Sequence, residues 1–335
     1  MNKKTEPYDF IRTISIFSVV LLHTASAPFK SYSENWMQFN IIMSATRWCV
    51  PVLFMLSGAL LLRKEEPLRA FFYKRSSKII IPLVFWSYIY IIFARNFHHL
   101  DPAHANPNVY FEPWLLFKYP AYFHLWFLYA IIGVYLMIPV LRLIAKNNQV
   151  TLYTLIMWFI WFSVIPFIQS IGYLNGSLFF IFKLDVIPLW SGFALLGCFI
   201  QNNLDKLKLS QGILLAMTGF IITFLLTYIV SNDGIPKETY QSYFMPNIVV
   251  MALGIYIACS KIKEPKIIIC SLSKYSFGVY LCHMLVMPFV WFIISNEDVS
   301  DGGLILAIIS SVITFSISLT LTFIISKISI IKRVI

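Results

Sequence analysis

Charged residues are scarce in this sequence. Of its 335 residues, 12% are charged and 59% are hydrophobic, whereas soluble globular proteins contain about 25% charged and about 45–50% apolar residues. The mean hydropathy of +0.76 agrees with this composition. It excludes a soluble globular protein and predicts an all-α, polytopic integral membrane protein. Because no polar stretch of domain size interrupts the apolar runs, we expect one integral membrane domain over residues 1–335.

Acidic residues are also few, at 15 against 26 Lys and Arg, which gives a net charge of +11. An excess of basic residues can indicate a nucleic-acid partner. Here the basic residues are grouped beside the ends of the apolar runs, and that distribution is typical of membrane topology. We therefore predict contact with the lipid bilayer and no nucleic-acid partner.

The sequence lacks the common motifs of metal, redox and phosphate-loop chemistry. No CxxC, Gly-rich phosphate loop, GxSxG or HExxH occurs. The five cysteines lie in or near apolar runs and are interpreted as packing residues. The spacing of His98, His99 and His104 around Asp101 fits no established zinc pattern. We predict no metal site and no bound cofactor.

Ten apolar runs are each long enough to cross about 30 Å of hydrocarbon as a helix. The spans are predicted at roughly 9–28, 38–62, 79–95, 120–142, 150–171, 182–201, 211–230, 243–260, 275–295 and 303–326. An even number of spans puts both termini on one side of the membrane. Most Lys and Arg residues then lie on that side, and the other side carries Lys30, Arg95, Lys118, Lys183 and Lys237. Since basic residues favour cytoplasmic loops, we predict cytoplasmic termini and a location in the cell (inner or plasma) membrane.

Arg12 and His23 both lie in the first predicted span, eleven residues apart. At about 100° and 1.5 Å per residue, they leave nearly the same helix face, about 16 Å apart along the axis. Ionisable residues inside a membrane are costly and indicate a functional site. Asp9 lies three residues before Arg12, close enough to pair with it on a helix.

This group allows two interpretations. In the first, Asp9 and Arg12 form an interfacial ion pair and His23 makes a hydrogen bond between helices. In the second, Arg12 holds an anionic or carbonyl group near the cytoplasmic side, and His23 acts deeper in the membrane. Histidine suits that role because an imidazole accepts protons near neutral pH.

Two further sets of basic residues lie at or inside spans. Arg75 and Lys78, at the predicted cytoplasmic entry to the third span, share a helix face. They are either a clamp for a phosphorylated ligand or ordinary cytoplasmic anchors. Arg47, near the external end of the second predicted span, either pairs with a carboxylate or phosphate or extends to the outer headgroups.

Histidines also occur in two later spans. His124 and Trp126 lie in PAYFHLWFLYA; they either belong to an aromatic belt at the outer interface or put His124 where a substrate hydroxyl arrives. His283 ends VYLCH inside the ninth predicted span and is either a packed hydrogen-bonding residue or part of a site. With Arg47, these residues are candidates for substrate contact or for structure alone.

Five segments, in the right order from about residue 8 to 287, resemble the membrane acyltransferase-3 family. The first carries the family's Arg, ten residues, then His, here Arg12 and His23. Where the family often has Arg, two residues, Arg at the entry to the third span, this chain has Arg75 and Lys78. The segments are YDFIRTISIFSVVLLH, RWCVPVLFMLSGALLL, FFYKRSSKIIIPLVFWS, YFHLWFLYAIIGVYLMIPVL and KYSFGVYLCHMLV.

The resemblance implies an O-acyltransferase that moves acetyl, or a similar short acyl group, from cytoplasmic acyl-CoA to a hydroxyl of a cell-envelope glycan or lipid-linked sugar. The chain is similar to the surface-polysaccharide O-acetyltransferases without an extra esterase-like domain. Acetyl-CoA is then a donor substrate and not a bound cofactor. In this scheme Arg12, Arg75 and Lys78 face the CoA phosphates. His23, supported by Arg12 and Asp9, is the general base or a transient acyl carrier.

Two other functions remain as alternatives. A transporter or flippase of glycan intermediates would line a pathway with the same polar residues, although the sequence has no matching halves of the kind many transporters show. The second alternative is a non-catalytic membrane component of an envelope complex. Binding of acyl-CoA would argue against both.

Overall fold

The computed structural model describes residues 6–97, 114, 116, 119–172, 189–294, 303–329 and 331–335. Within these residues the secondary structure is helical and contains no strand, which confirms the predicted all-α class. The α-helices are α1 (Glu6–Lys30), α2 (Trp36–Thr46), α3 (Cys49–Leu61), α4 (Leu68–Phe97), α5 (Trp126–Ala145), α6 (Asn148–Phe159), α7 (Ile165–Ser170), α8 (Ser191–Asn202), α9 (Leu209–Val230), α10 (Pro246–Ser260), α11 (Ile267–Leu272), α12 (Ser276–Ile294) and α13 (Gly303–Lys327).

The described part of the chain contains nine helical segments that are long and apolar enough to cross a membrane. They confirm a polytopic, multi-pass membrane protein. The predicted span at 182–201 begins at residues outside the described ranges, and its described part forms the 12-residue helix α8. The count of ten spans and the cytoplasmic placement of both termini therefore stay predictions. The nine segments are Glu6–Lys30, Trp36–Leu61, Leu68–Phe97, Phe123–Ala145, Asn148–Ser170, Leu209–Val230, Thr239–Ser260, Ile267–Ile294 and Gly303–Lys327.

The third predicted span is longer than the sequence indicates. We expected a loop at 63–78 and a span at 79–95, but α4 begins at Leu68 and includes Arg75 and Lys78. The carbonyl oxygen of Pro67 accepts the backbone hydrogen bond of Phe71 at 2.9 Å, and this bond starts the helix. Arg and Lys are good helix formers, so the helix continues outside the apolar stretch. Hydropathy detects the part of a helix that crosses the membrane and not the whole helix.

Helix α1 lies at the centre of the bundle, where it contacts α2, α3 and α10 to α13. Two hydroxyl contacts fix its position. Thr13 Oγ1 donates to the backbone oxygen of Ile269 in α11 at 2.9 Å, and Ser311 Oγ of α13 donates to Thr24 Oγ1 at 3.1 Å. Because lipid offers no hydrophobic driving force between helices, such hydrogen bonds help to hold the bundle together. They fix the helix that carries Arg12 and His23.

Helices α3 and α8 approach each other closely at two glycines. A methyl group on Gly58 would meet the backbone of Ala194, and one on Gly197 would meet the backbone of Met55. Small residues permit this close contact between membrane helices. The contact brings the start of α8, with the preceding Trp190, against Phe54 of α3, with ring centres 4.6 Å apart.

Candidate functional site

Three histidines from distant parts of the chain lie together. The ring centre of His283 in α12 is 5.3 Å from that of His23 in α1 and 5.2 Å from that of His124. His124 belongs to a short 3-10 turn, Phe123–Leu125, that precedes α5. We call these three residues the histidine cluster. The three histidines are far apart in the sequence, and nothing in the sequence indicated that they meet.

His124 and His283 are fully inside the protein, with relative exposures of 1% and 0%. This excludes a position for His124 in an aromatic belt that faces the headgroups. Its ring lies at 71° to Tyr90, with the centres 4.8 Å apart, and its backbone oxygen accepts a hydrogen bond from Tyr280 Oη at 2.7 Å. These contacts fix the turn that carries His124.

The hydrogen bonding of His283 leaves one ring nitrogen available. Its Nδ1 is 2.7 Å from the backbone oxygen of Tyr280, and because a carbonyl oxygen only accepts, Nδ1 must carry the proton. In a neutral imidazole the other nitrogen is then an acceptor. Nε2 is buried and has no hydrogen-bond partner in the part of the chain that the structure describes. Buried polar atoms are normally paired, so Nε2 is available to accept a hydrogen bond from a neighbouring donor.

A cavity of about 830 Å³ opens beside the N-terminal half of α1. Among its described lining residues there are six basic side chains and no Asp or Glu, so we call it the cationic cavity. An excess of positive charge of this kind attracts an anionic ligand. The six residues are Arg12, Arg75, Lys78, Lys274, Lys332 and Arg333.

Arg12 is held in place by a carboxylate that does not line the cavity. Its Nη1 lies 3.1 Å from Asp9 Oδ1, which also accepts a hydrogen bond from Ser273 Oγ at 2.9 Å. Asp9 itself is not among the residues that line the cavity. The predicted Asp9–Arg12 contact is confirmed, and Asp9 acts on the orientation of Arg12.

Arg75 and Lys78 both line the cationic cavity, as expected for a clamp. Lys78 is exposed. The guanidinium of Arg75 lies 5.7 Å from the ring centre of Phe71, and its Nε is buried without a hydrogen-bond partner among the described residues. Arg75 therefore has donor capacity that the described protein does not use.

Sequence reasoning missed Lys274, Lys332 and Arg333 as members of this cavity. We counted them as indicators of topology, and their sequence surroundings do not distinguish them from other basic residues near span ends. The segment Lys332–Val334 reaches the cavity because it packs on α4. Trp86 Nε1 donates to the backbone oxygen of Val334 at 2.8 Å and holds it there.

A second cavity, of about 650 Å³, lies beside the C-terminal half of α1 and is lined by His23 and His124. Its other lining residues include Trp126, Trp190 and Tyr243, so we call it the aromatic cavity. The two cavities share three lining residues, Leu53, Phe127 and Tyr280. The ring of Tyr280 lies 5.6 Å from His124 and 6.2 Å from His283. Tyr280, which lines both cavities, therefore lies beside the histidine cluster, although His283 is not among the described lining residues of either cavity.

Arg47 lies inside the second predicted span, where it directly follows the last residue of α2 and precedes α3. Its Nη2 is 2.9 Å from Glu238 Oε2, and its Nη2 and Nε donate to Gln241 Oε1 at 3.0 and 3.2 Å. The structure thus supports the interpretation in which Arg47 finds a carboxylate, and not the one in which it extends to the headgroups. Arg47 and Glu238 both line the aromatic cavity.

The remaining sequence predictions concern metals and cysteines. In the described ranges no group of three or more His, Cys, Asp or Glu side chains is arranged to hold a metal ion. The predicted loop histidines His98, His99 and His104, with Asp101, lie outside the described residues. All five cysteines are buried with free thiols.

Comparison with known proteins gives one match. An acyltransferase-3 family model, described as "Acyltransferase domain", matches residues 8–327. The matched range includes every member of the histidine cluster and four of the six basic residues of the cationic cavity, the exceptions being Lys332 and Arg333. No curated protein and no solved structure matches the chain.

Proposed function

Because the chain belongs to the acyltransferase-3 family, we propose that it is an O-acyltransferase of the cell membrane that uses cytoplasmic acyl-CoA. It moves acetyl, or a similar short acyl group, to a hydroxyl of a cell-envelope glycan or lipid-linked sugar. The observation that carries the proposal is that the histidine cluster lies beside Tyr280, a residue that lines both the cationic and the aromatic cavity.

The cationic cavity suits the CoA part of the donor. CoA carries several phosphates, and Arg or Lys contacts with phosphate are among the stronger hydrogen bonds in proteins. Arg75 offers an unused Nε, and Arg12 is oriented by Asp9. Acyl-CoA is made in the cytosol, so this cavity must open to the cytosol, in agreement with the predicted topology. The thin pantetheine arm then brings the thioester past Tyr280 toward His23.

The transfer itself requires one proton acceptor near the thioester. The hydroxyl oxygen of the acceptor forms a bond to the acyl carbonyl carbon, the carbon–sulfur bond breaks, and His23 takes the hydroxyl proton. The CoA thiolate that leaves takes up a proton, so the products are an O-acyl ester and free CoA. If His23 is an acyl carrier, its ring nitrogen attacks first and the hydroxyl then attacks the acyl-imidazole, with the same products. Both routes place His23 at the centre of the reaction.

A transporter of glycan intermediates is the second candidate function. The observation that favours it is the sharing of Leu53, Phe127 and Tyr280 by the two cavities, because a pathway through the bundle would pass these residues. A transporter has no use for a donor that is consumed. The fate of the acyl group therefore separates the two functions.

The proposal is tested with purified protein and acetyl-CoA labelled in the acetyl group. The acceptor is envelope glycan from the cell that makes the protein, treated with mild alkali to remove existing O-acyl esters. We expect free CoA to be released and the label to appear in alkali-sensitive ester linkage on the glycan. Label that stays on CoA under these conditions would overturn the enzymatic proposal and favour the transporter.

A further inference from the structure

Three aromatic side chains from separate elements form one wall of the aromatic cavity. Trp126 begins α5, Trp190 precedes α8 and Tyr243 precedes α10. The ring centre of Trp126 is 5.1 Å from that of Trp190 and 5.9 Å from that of Tyr243. Trp190 and Tyr243 are 5.6 Å apart. We call these three residues the aromatic wall.

The aromatic wall differs from a belt at the membrane surface. Residues of a belt face the headgroup region from the outside of the bundle, whereas all three members of the wall line a cavity together with His23 and His124. Each member is only partly exposed. By contrast, Trp114 is 64% exposed and does not line either cavity. The wall therefore lines the cavity with aromatic side chains.

Polar groups are fixed at the edge of the same wall. The guanidinium of Arg47 lies 5.9 Å from the ring centre of Tyr243 and is paired with Glu238 at 2.9 Å. Arg47 and Glu238 line the cavity, the side chain of Glu238 being 39% exposed. A ligand in the cavity thus meets aromatic side chains together with a hydrogen-bond donor and acceptor.

We propose that the aromatic wall binds one sugar ring of the acceptor by stacking and that Arg47 and Glu238 bind its hydroxyls. The inference rests on the proposed function. A pyranose has a face rich in C–H groups with partial positive charge, which the negative face of an indole attracts, and its edge carries hydroxyls that donate and accept. The cavity volume of about 650 Å³ is within the usual range for small-molecule sites, about 300–1,000 Å³.

The chemistry of the cavity favours a sugar over an acyl chain. A hydrocarbon chain would pack on Trp126 and Trp190 equally well, but it would also remove water from Arg47 and Glu238 without giving them new hydrogen bonds. Desolvation of that kind is costly for charged groups. A sugar ring can stack on the aromatic wall and also form hydrogen bonds with Arg47 and Glu238. Because His23 lines the same cavity as the wall, a sugar bound there lies in the cavity of the proposed base.

The test compares the steady-state kinetics of Trp190→Ala, Trp190→Phe and the matched control Trp114→Ala. The probes are the alkali-treated envelope glycan as acceptor and, separately, n-octanol as an acceptor without a sugar ring. The dissociation constant of acetyl-CoA is measured for each variant. A variant that still binds acetyl-CoA is folded. Trp126→Phe and Tyr243→Phe provide milder changes at the same wall.

We expect Trp190→Ala to raise the KM for the glycan by about tenfold or more, as loss of a central aromatic contact does in other binding sites. The dissociation constant of acetyl-CoA should change less than twofold, and the KM for n-octanol should rise less than the KM for the glycan. Trp190→Phe should recover most of the loss because a phenyl ring keeps an aromatic face, and Trp114→Ala should behave as the unchanged protein.

An unchanged glycan KM in Trp190→Ala, with acetyl-CoA still bound, would overturn the inference. A larger effect on n-octanol than on the glycan would also overturn it and would identify an acyl chain as the occupant. Failure of the proposed function has a different signature, because the unchanged protein would then release no CoA with either acceptor.

Discussion

The rings of His23 and His283 lie 5.3 Å apart between α1 and α12, two helices that are separated by most of the sequence. At this separation a hydrogen bond between ring nitrogens is within reach, and Nε2 of His283 is an acceptor without a partner among the described residues. His283 is thus placed to orient the ring of His23 or to take a proton from it. A buried acceptor beside the proposed base is the arrangement expected where a second group holds the base in one tautomer.

His283→Ala should lower kcat by about tenfold or more and leave the dissociation constant of acetyl-CoA nearly unchanged, because the effect passes through His23. His283→Gln, which keeps a polar group near the position of Nε2, should retain more activity. The pH dependence of kcat should differ between the two variants and the unchanged protein, since they alter the surroundings of the proposed base. A His283→Ala enzyme with normal kcat and pH profile would show that this residue only packs.

Arg75→Ala should raise the KM for acetyl-CoA by about tenfold or more. Loss of one charged hydrogen bond costs about 1.5–3 kcal/mol, and Nε of Arg75 has no competing partner among the described residues. Arg69→Ala is the matched control, because Arg69 is an exposed cation on the same helix outside both cavities. Equal KM values for acetyl-CoA in the two variants would mean that Arg75 is only a cytoplasmic anchor of its helix.

Arg12→Lys should lower kcat/KM for acetyl-CoA by about tenfold or more although the charge is kept. The planar guanidinium donates to Asp9 at 3.1 Å and still presents other N–H groups to the cavity, whereas an ammonium is a point charge on a flexible stem. Asp9→Asn, which releases Arg12 without removing it, should cause a smaller loss. If Arg12→Lys leaves kcat/KM for acetyl-CoA unchanged, the Asp9–Arg12 ion pair is an interfacial anchor and the donor site does not require a planar group.

The proposed donor site requires one orientation of the chain in the membrane. Both termini should be cytoplasmic, since acyl-CoA must reach the cationic cavity from the cytosol. Alkaline phosphatase and fluorescent-protein reporters fused after residues 105 and 335 measure this directly. We expect residue 105 outside the cytosol and residue 335 inside it. The same compartment for both would contradict ten spans.

Contacts between residues close in the sequence could be predicted, whereas contacts between residues far apart in the sequence could not. The Asp9–Arg12 contact follows from a spacing of three residues on one helix, and the extent of α1 follows from its apolar run. The histidine cluster depends on which faces of α1 and α12 pack together and on the turn before α5. The place of Arg333 in the cationic cavity depends on the Trp86–Val334 hydrogen bond. Hydropathy carries no information about either contact.

The contacts of Arg47 between α2 and α3 also could not be predicted from the sequence. The apolar run from 38 to 62 predicts one span, and the structure has one helical segment there, Trp36–Leu61. Within it the helix is interrupted at Arg47 and Trp48, although both residues keep helical backbone angles. The interruption coincides with the bonds of Arg47 to Glu238 and Gln241. These partners lie in a polar loop about 190 residues away in sequence, so only the folded structure identifies them.

The central claim is that His23 performs the transfer, and the rate of glycan acylation by His23→Ala tests it most directly. A histidine that acts as general base contributes about 10²–10⁴ in rate. We therefore expect purified His23→Ala, made at normal levels, to bind acetyl-CoA with an unchanged dissociation constant and to acylate the glycan at least about 10²-fold more slowly than the unchanged protein. Acylation at a near-normal rate by this variant would contradict the account.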